Sequence, residues 1–190
     1  MIQEHHKDEE LILAIQKGTH EAFNSLVKKH SGKFYSIAFR LTNNKEQAED
    51  IVQDCFLKFW IKPSHFDLKK KIKFTTWFYK VISNASFDLK RKVAKLTELP
   101  EDLKYQGEDI ETILDKEEFQ IILWNFINNL PERQQLALNL CFYEGISNKE
   151  AAEIMEINIK ALESLLMRAK DKLRKDFESI EKIKDYQHAK

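Results

Sequence analysis

The chain has 190 residues and a mass of 22.6 kDa, with 31 basic and 31 acidic residues, so its formal net charge is zero. Taken as a whole, that balance argues against a nucleic-acid partner, because nucleic-acid-binding domains are usually basic. Four glycines and three prolines are too few for the many tight turns of an all-β fold, and they leave no glycine-rich phosphate loop.

The first half of the chain has the apolar spacing of three and four residues that predicts amphipathic helices. Gly18 ends the first helix, and Thr19 is placed to cap the second. Asn43 and Asn44 offer caps before the third helix, which Pro63 ends. The predicted helices cover about 8–17, 20–41, 45–62 and 74–94.

The second half begins with a change in composition and in hydrophobic periodicity. Residues 95–115 are acidic, contain Pro100 and Gly107 and have weak periodicity, which predicts a linker. Ser147 and Glu150 form a capping-box pattern, in which the hydroxyl and the carboxylate each accept from an N–H group at a helix start. Residues 178–190 are predicted to fray. The predicted helices cover about 115–128, 132–143, 147–155 and 159–177.

No pattern in the sequence supports catalysis or metal binding. Cys55 and Cys141 lack zinc-ligand spacing, and we interpret both as small buried side chains in a reducing cytoplasm. The apolar runs are too short for a membrane span, and the start MIQEHHKDEELI is too polar for a signal peptide. We therefore expect a cytoplasmic protein without a cofactor, a metal ion or a membrane contact of its own.

The zero net charge conceals an uneven distribution. Residues 1–95 have a net charge of +7, residues 96–130 of −7, and residues 131–190 of zero. Basic clusters at 69–73 and 90–92 flank a run of aromatic residues, a pattern typical of single-strand binding. The alternative is a solvated helix face, with the aromatic side chains in the core.

Residues 146–174 have the pattern of a helix-turn-helix. Ala152 is small where two helices would cross, and Ile157 can fill the corner. Side chains from the first turns of the second helix would reach base edges in a major groove, and later ones would reach phosphates. The alternative is an ordinary helical hairpin. The predicted base-facing set is Lys160, Glu163, Ser164, Met167 and Arg168, and the phosphate set is Lys170, Lys172 and Arg174.

Four stretches of sequence, taken in order, resemble segments of one known protein family. They are AEDIVQDCFLKFW (48–60), FTTWFYKVISNASFDLKRK (74–92), LPERQQLALNLCFYEGISNKEAAEIMEIN (130–158) and IKALESLLMRAKDKLRK (159–175). Together they resemble the extracytoplasmic-function sigma factors of bacterial RNA polymerase. The first resembles the helix that binds the polymerase clamp, the second the helix that melts the promoter and reads its minus-ten element, and the last two the minus-thirty-five-binding domain.

The resemblance implies roles for individual residues. The residues implied to contact polymerase are Asp50, Gln53, Asp54 and Phe56. Of these, Phe56 could face either the partner or the core. The loop 62–73 corresponds to one that holds a base flipped from the minus-ten element, and the amide of Asn84 would read that base. For each residue of the polymerase set and for Asn84, a solvated helix face is the alternative. The minus-ten and melting set is Phe74, Trp77, Lys80, Asn84, Lys90, Arg91 and Lys92.

Two departures from the family pattern stand out. Glu156 occupies the corner of the helix-turn-helix, where glycine is common, and a left-handed glutamate there is strained. Ala161 and Glu163 stand where many relatives have threonine and lysine. Glu163 is either an acceptor for a cytosine amino group or a solvated or partner-facing acid. Binding to the minus-thirty-five element is therefore expected to be weaker or differently specific.

We predict an all-α protein with two small helical domains joined by an acidic linker. Sigma domain two would span 1–95, the linker 96–110, sigma domain four with its helix-turn-helix 111–177, and a tail 178–190. The predicted function is that of an alternative-type sigma factor in transcription initiation, without enzymatic activity. It would bind core RNA polymerase at the clamp and flap, direct it to specific promoters and help melt the minus-ten element.

The implied partners are core RNA polymerase, promoter DNA as duplex and as melted single strand, and an anti-sigma factor that could hold the chain near the membrane. One rival is a conventional helix-turn-helix regulator that binds duplex DNA as a dimer, which leaves 48–92 without a role. A second is a helical adaptor with no nucleic-acid role.

Overall fold

The computed structural model describes residues 8–70, 72–97 and 116–188, and within those ranges the chain is helical without a β-strand. The predicted all-α class is therefore confirmed. The predicted linker, 96–110, lies almost entirely outside the described residues. The helices are α1 (Asp8–Gln16), α2 (His20–Thr42), α3 (Lys45–Ile61), α4 (Phe74–Thr97), α5 (Lys116–Asn128), α6 (Glu132–Leu138), α7 (Asn148–Ile154) and α8 (Ile159–His188).

The helix boundaries in the first half follow most local signals of the sequence, although the Thr19 side chain, predicted to cap α2, makes no capping hydrogen bond. Gly18 follows α1 with φ of 86°, and Asn43 ends α2 in the left-handed region with φ of 54°. The Asn44 side chain accepts from the N–H of Gln47 at 2.9 Å and so caps α3. Pro63 opens a short 3₁₀ turn, Pro63–His65. These local hydrogen bonds make the boundaries predictable.

Helices α1 to α4, which we call the N-terminal domain, pack around a cluster of aromatic rings. Phe34, Phe59 and Phe78 are fully buried. The Phe78 ring lies 4.6 Å from the ring centroids of both Phe34 and Phe56, a spacing at which aromatic pairs add to the energy of burial. Because rings from α2, α3 and α4 pack against one another in this cluster, the three helices have a fixed relative orientation, and so do their outward faces.

Two helices of the second half differ from the prediction. The helix predicted over 132–143 is α-helical only to Leu138 and continues as a π-helical turn, Asn139–Tyr143, closed by the Glu144 N–H donating to Asn139 O at 3.0 Å. Helix α8 continues to His188, beyond the helix end predicted near 177. Isoleucines at 180 and 183 continue the helical spacing of apolar residues after Phe177, and the glutamate, lysine and glutamine residues around them favour a helix.

The capping box at α7 is half formed. The Ser147 hydroxyl accepts from the N–H of Glu150 at 3.3 Å, as predicted. The Glu150 carboxylate instead accepts from Lys73 Nζ at 3.1 Å and from the Thr76 hydroxyl at 3.3 Å, both on the far side of a helix packing contact. Both kinds of bond are charge-assisted, and the ammonium and hydroxyl donors are within reach of Glu150 because α7 packs against the start of α4.

Helices α5 to α8, which we call the C-terminal domain, dock directly on the N-terminal domain. Helix α7 packs against α4, and the buried apolar residues of both domains form one continuous cluster. At another point of this contact, the Trp124 indole donates to Asn43 Oδ1 at 2.7 Å and its ring stacks on Phe39. No helix within the described ranges is long and apolar enough to cross a membrane.

Candidate nucleic-acid interface

The outward face of α3 carries the predicted polymerase acids. Asp50, Gln53 and Asp54 are exposed, while Ile51, Val52, Cys55 and Phe59 of the same helix are buried. Because burial disfavours the charged thiolate, the pKa of the Cys55 thiol is raised to about 11. The apolar side anchors the helix, and the acidic side is available to a partner.

A groove runs between α3 and α4 and brings two predicted sets of residues together. Asp50 and Asp54 line its α3 wall, and Asn84 and Lys92 line its α4 wall. Asn84 is exposed on its helix, as a residue that reads a base must be. The tertiary structure thus juxtaposes an acidic surface of α3 with an amide and a cation of the next helix, α4.

Two predicted contact residues lie in the core. Phe56 is only 4% exposed and Phe74 only 2%. Phe74 is ringed by Phe59, Phe66 and Phe78. The structure therefore corrects the expectation of direct contact for both side chains: their apolar area is worth more in the core than in water. Trp77 is half-buried and packs beside Phe59 and Phe66.

The predicted melting cations of α4 are mostly occupied by side chains of the C-terminal domain. Lys80 Nζ lies 2.5 Å from a carboxylate oxygen of Glu156, and Arg91 Nε lies 3.4 Å from one of Glu132. Lys90 donates to the side chain of Gln135 at 3.4 Å, and its burial lowers the pKa of the ammonium group. Lys92, by contrast, is exposed on the groove.

A second polar centre lies deeper between the domains. The Glu144 carboxylate, with its side chain only 8% exposed, accepts from Arg40 and from the Tyr79 hydroxyl. Arg40 also donates to Asn139 Oδ1 at 2.9 Å and lies over the Tyr143 ring. Burial lowers the pKa of the Arg40 guanidinium and raises that of the Tyr79 hydroxyl, although Arg40 opposes the latter effect.

Sequence reasoning missed this centre. Glu144 precedes Gly145, and in the sequence it has the pattern of a residue that simply closes a helix. Arg40 and Glu144 are 104 positions apart. No periodicity connects residues so distant, so only the docked arrangement reveals the pair.

The loop between α3 and α4 lies beside α7. Phe66 is its buried anchor, and the Asp67 side chain accepts from the Lys69 N–H at 2.9 Å. A crevice separates this loop from α7, with His65, Phe66 and Trp77 on one side and Glu153 and Glu156 on the other. The loop predicted to hold a flipped base therefore faces α7 across a crevice, while most of its described residues remain exposed.

The helix-turn-helix has the predicted packing. Ala152, Leu162 and Ala169 are buried where α7 and α8 meet, and Ile157 packs against the core. The corner is a Schellman motif, in which the Ile157 N–H donates to Ala152 O at 3.0 Å and the Glu156 N–H to Glu153 O at 3.2 Å. Glu156 has φ of 52°, and the left-handed conformation costs a non-glycine residue about 1 kcal/mol.

The predicted base-facing side chains of α8 point outward. Lys160, Glu163, Met167 and Arg168 are exposed, and Ser164 is half-buried with its hydroxyl donating to Lys160 O at 2.8 Å. The predicted phosphate set already has local partners: Lys170 lies over the Phe142 ring, Lys172 pairs with Asp176, and Arg174 pairs with Asp171. Among the described residues, no group of His, Cys, Asp or Glu is placed to hold a metal ion.

An acidic helix face, a groove with an outward-facing asparagine, a basic helix and a helix-turn-helix in this order define a transcription factor of the sigma type. The family model "Sigma-70 region 2" matches residues 26–96, and "Sigma-70, region 4" matches residues 120–173. The chain is 25% identical to the ECF RNA polymerase sigma factor SigW of Bacillus subtilis, over 89% of this chain and 96% of SigW. It is 28% identical to the ECF RNA polymerase sigma-E factor of Escherichia coli, over 86% of this chain and 91% of that protein.

Two solved structures have the same fold. One is CnrH in complex with the cytosolic domain of CnrY, with a TM-score of 0.67, 23% identity and coverage of 90% of this chain and 97% of CnrH. The other is the sigma factor RpoE of Bartonella quintana in complex with the anti-sigma factor NepR, with a TM-score of 0.61, 22% identity and coverage of 82% and 96%. The chain belongs to the extracytoplasmic-function sigma factors of bacterial RNA polymerase.

Proposed function

We propose that this sigma factor binds core RNA polymerase through the acidic face of α3 and melts the minus-ten element with α4. The observation that carries the proposal is the groove between these helices, with Asp50 and Asp54 on one wall and Asn84 and Lys92 on the other. A polymerase held on the acidic face would lie beside the site where a base is extruded. Binding and strand opening would then be coupled through one rigid helix pair.

In this proposal, melting is driven by binding alone. Unstacking a base costs a few kcal/mol, which a site can recover through hydrogen bonds to the extruded base and cations on its phosphates. Asn84 would supply the amide, and Lys80, Lys90, Arg91 and Lys92 the cations, while Trp77 would support the loop. The chain would catalyse no reaction of its own, because trapping the open strand requires no bond to be made or broken.

The C-terminal domain would place α8 in the major groove at the minus-thirty-five element. Lys160, Glu163, Ser164, Met167 and Arg168 lie on its outward face in the turns that reach base edges. Glu163 would accept from a cytosine amino group. In the assembled initiation complex this domain would also contact the polymerase flap, so the two domains would read the two promoter elements from separate positions on the enzyme.

We also propose an anti-sigma partner and a cytoplasmic site of action. Of the solved relatives, RpoE is bound to an anti-sigma factor, and CnrH is bound to the cytosolic domain of CnrY. A partner of this kind would cover the polymerase-binding face, the DNA-binding face or both, and could hold the chain near the membrane.

The decisive experiment adds the purified chain to core RNA polymerase and measures binding and transcription on a library of genomic fragments. We expect a stable complex and new start sites that share paired minus-thirty-five and minus-ten sequences. A chain that binds duplex fragments as a dimer but does not bind core polymerase would contradict the proposal and favour a conventional helix-turn-helix regulator. Transcription without the chain provides the control.

A further inference from the structure

The loop between α3 and α4 has little regular structure of its own. After the 3₁₀ turn Pro63–His65, its backbone makes short-range bonds, such as the Lys70 N–H donating to Asp67 O at 3.1 Å. Phe66 is buried, whereas Asp67, Lys70 and Ile72 are exposed. Because so few residues of the loop are buried, its conformation depends on the elements that it contacts.

Helix α1 contacts the start of this loop. Gln16, the last residue of α1, donates from Nε2 to Phe66 O at 3.3 Å and to Pro63 O at 3.5 Å, across 50 and 47 positions of the sequence. Helix α1 also packs against the 3₁₀ turn to which Pro63 belongs. One side-chain amide therefore joins the end of α1 to the turn that positions the buried Phe66 ring.

The first residue of α1 is connected to the other end of the loop. The carboxylate of Asp8 accepts from Lys29 Nζ at 2.8 Å and from His30 Nε2 at 3.0 Å. The ring of His30 packs against that of Phe74, with the ring centroids 6.0 Å apart, and Phe74 begins α4 directly after the loop. Helix α1 thus reaches the beginning of the loop through Gln16 and its end through His30.

Between these two contacts, α1 and the loop line a shared cleft of about 260 Å³. Ile12 belongs to α1, and Phe66 and Leu68 belong to the loop. Ile12 and Ile15 are almost completely buried, so α1 is anchored in the core of the N-terminal domain. An anchored helix is a suitable support for a loop that has few buried contacts of its own.

Helix α1 lies outside the segment that carries the family match, since that match begins at residue 26 and α1 ends at Gln16. We infer that α1 is a positioning element for promoter melting, in which Gln16 and the Asp8–His30 pair hold the loop 62–73 in the conformation that accepts an extruded base. These residues act through the loop and not by touching DNA. The role of the loop in holding a base rests on the proposed function, whereas its support by α1 rests on contacts within the chain.

Hydrogen exchange of the full-length chain, followed by mass spectrometry, tests the support directly. Gln16→Met removes the donor amide but keeps an unbranched side chain that favours a helix. Asn24→Met makes the same kind of change at an exposed residue of α2 and is the control.

We expect the backbone amides of the loop to exchange roughly fivefold faster in Gln16→Met, as expected for the loss of one hydrogen bond. Asp8→Asn, which removes the charge at the other end of α1, should also speed exchange in the loop. Exchange within the middle of α4 should stay unchanged in all variants, and exchange in the loop should stay unchanged in the control. Loop exchange in Gln16→Met that equals that of wild type would overturn the inference.

Holoenzyme assembled from core polymerase and each variant tests the consequence for melting. On a duplex promoter, Gln16→Met should lower the formation of open complexes roughly threefold, while its affinity for core polymerase equals that of wild type and of Asn24→Met. In a second series of promoters, each minus-ten base in turn is replaced by an abasic nucleotide. At the one position whose base the loop holds, this replacement should abolish the difference between wild type and Gln16→Met.

A defect in Gln16→Met that persists at every abasic position would overturn the inference, because it would reflect a general loss of function and not the positioning of one base site. A loss of core affinity equal to the loss of open complexes would overturn it for the same reason. Faster loop exchange with normal opening would uphold the support of the loop by α1 and would count instead against the loop as the proposed base site.

Discussion

The Tyr79 hydroxyl donates a hydrogen bond of 2.7 Å to a carboxylate oxygen of Glu144, although the two residues are 65 positions apart and belong to different domains. The other oxygen of the same carboxylate binds Arg40. The buried carboxylate of Glu144 thus joins α2 and α4 to the end of the π-helical segment that follows α6. Removing water from such a group is costly unless every partner is in place, so this centre ties the stability of the two domains together.

Glu144→Ala should destabilise the protein by about 3 kcal/mol, because it leaves the Arg40 charge buried without its carboxylate. Tyr79→Phe removes one hydrogen bond to this carboxylate but leaves the ion pair with Arg40 in place, so it should cost less, about 2 kcal/mol. Urea unfolding followed by tryptophan fluorescence measures both values, and Trp124 lies at the domain boundary to report on it. Equal losses in the two variants would mean that Arg40 finds another partner when Glu144 is absent.

Asp50→Arg should weaken binding to core RNA polymerase at least tenfold, because it replaces an exposed acid of the α3 face with a charge of opposite sign. Glu21→Arg makes the same change on an exposed position of α2 and serves as the control. Titration of fluorescently labelled protein with core polymerase measures both affinities. An Asp50 variant that binds as tightly as the control variant would move the interface to another face.

Asn84→Ala should impair the formation of open complexes on duplex promoters more than it impairs polymerase binding. The lost amide would leave an extruded base without its hydrogen bonds, which are worth about 1–3 kcal/mol, so we expect at least a fivefold loss of open complexes. Asn24→Ala, at an exposed asparagine of α2, is the control. Permanganate reactivity of unpaired thymines reports opening, and an equal loss of opening and binding would argue against base reading.

Asp8→Asn should reveal a stabilising ion-pair network at the start of α1. Burial raises the pKa of the Asp8 carboxyl, but hydrogen bonds from His30 and Lys29 outweigh burial and hold the pKa at about 2. A depressed folded-state pKa means that the ionised carboxylate contributes stability above about pH 4. That contribution disappears as the pH falls toward 2.

The stability difference between wild type and Asp8→Asn should therefore be about 1 kcal/mol at pH 7, allowing for partial exposure of the pair. It should shrink steadily between pH 4 and pH 3. Urea midpoints at pH 7, 5, 4 and 3 measure it, with the exposed neighbour Glu9→Gln as the control. A difference that stays constant down to pH 3 would rule out the carboxylate as its source.

Arg168→Ala should weaken recognition of the minus-thirty-five element, because its exposed side chain lies among the base-facing residues of α8. Loss of one base contact is worth about 1–3 kcal/mol of discrimination, so initiation should fall roughly tenfold on promoters with that element. Lys175→Ala, exposed further along the same helix, is the control. Abortive initiation assays measure the effect, and a uniform loss on promoters with altered minus-thirty-five sequences would indicate a phosphate contact instead.

Most of the helix boundaries and inward faces could be predicted from the sequence. The spacing of Phe34, Phe56, Phe59, Phe74 and Phe78 follows the helical period, and caps such as Asn44 and Ser147 act within three residues of their own position. The same period places Phe56 and Phe74 on the core face, whereas the resemblance included both in contact sets; Phe56 is 4% exposed and Phe74 2%, as the period predicts.

Glu150 marks the limit between what the sequence alone determined and what the tertiary structure decided. Its backbone N–H finds the Ser147 hydroxyl because the two are neighbours on the first turn, whereas its carboxylate reaches Lys73, 77 positions away. The sequence determined two helical domains, their family and a zero net charge made of opposing segments. Only the docked structure decided which of those charges meet, because ion pairing depends on distances of a few ångströms between surfaces that the chain brings together by folding.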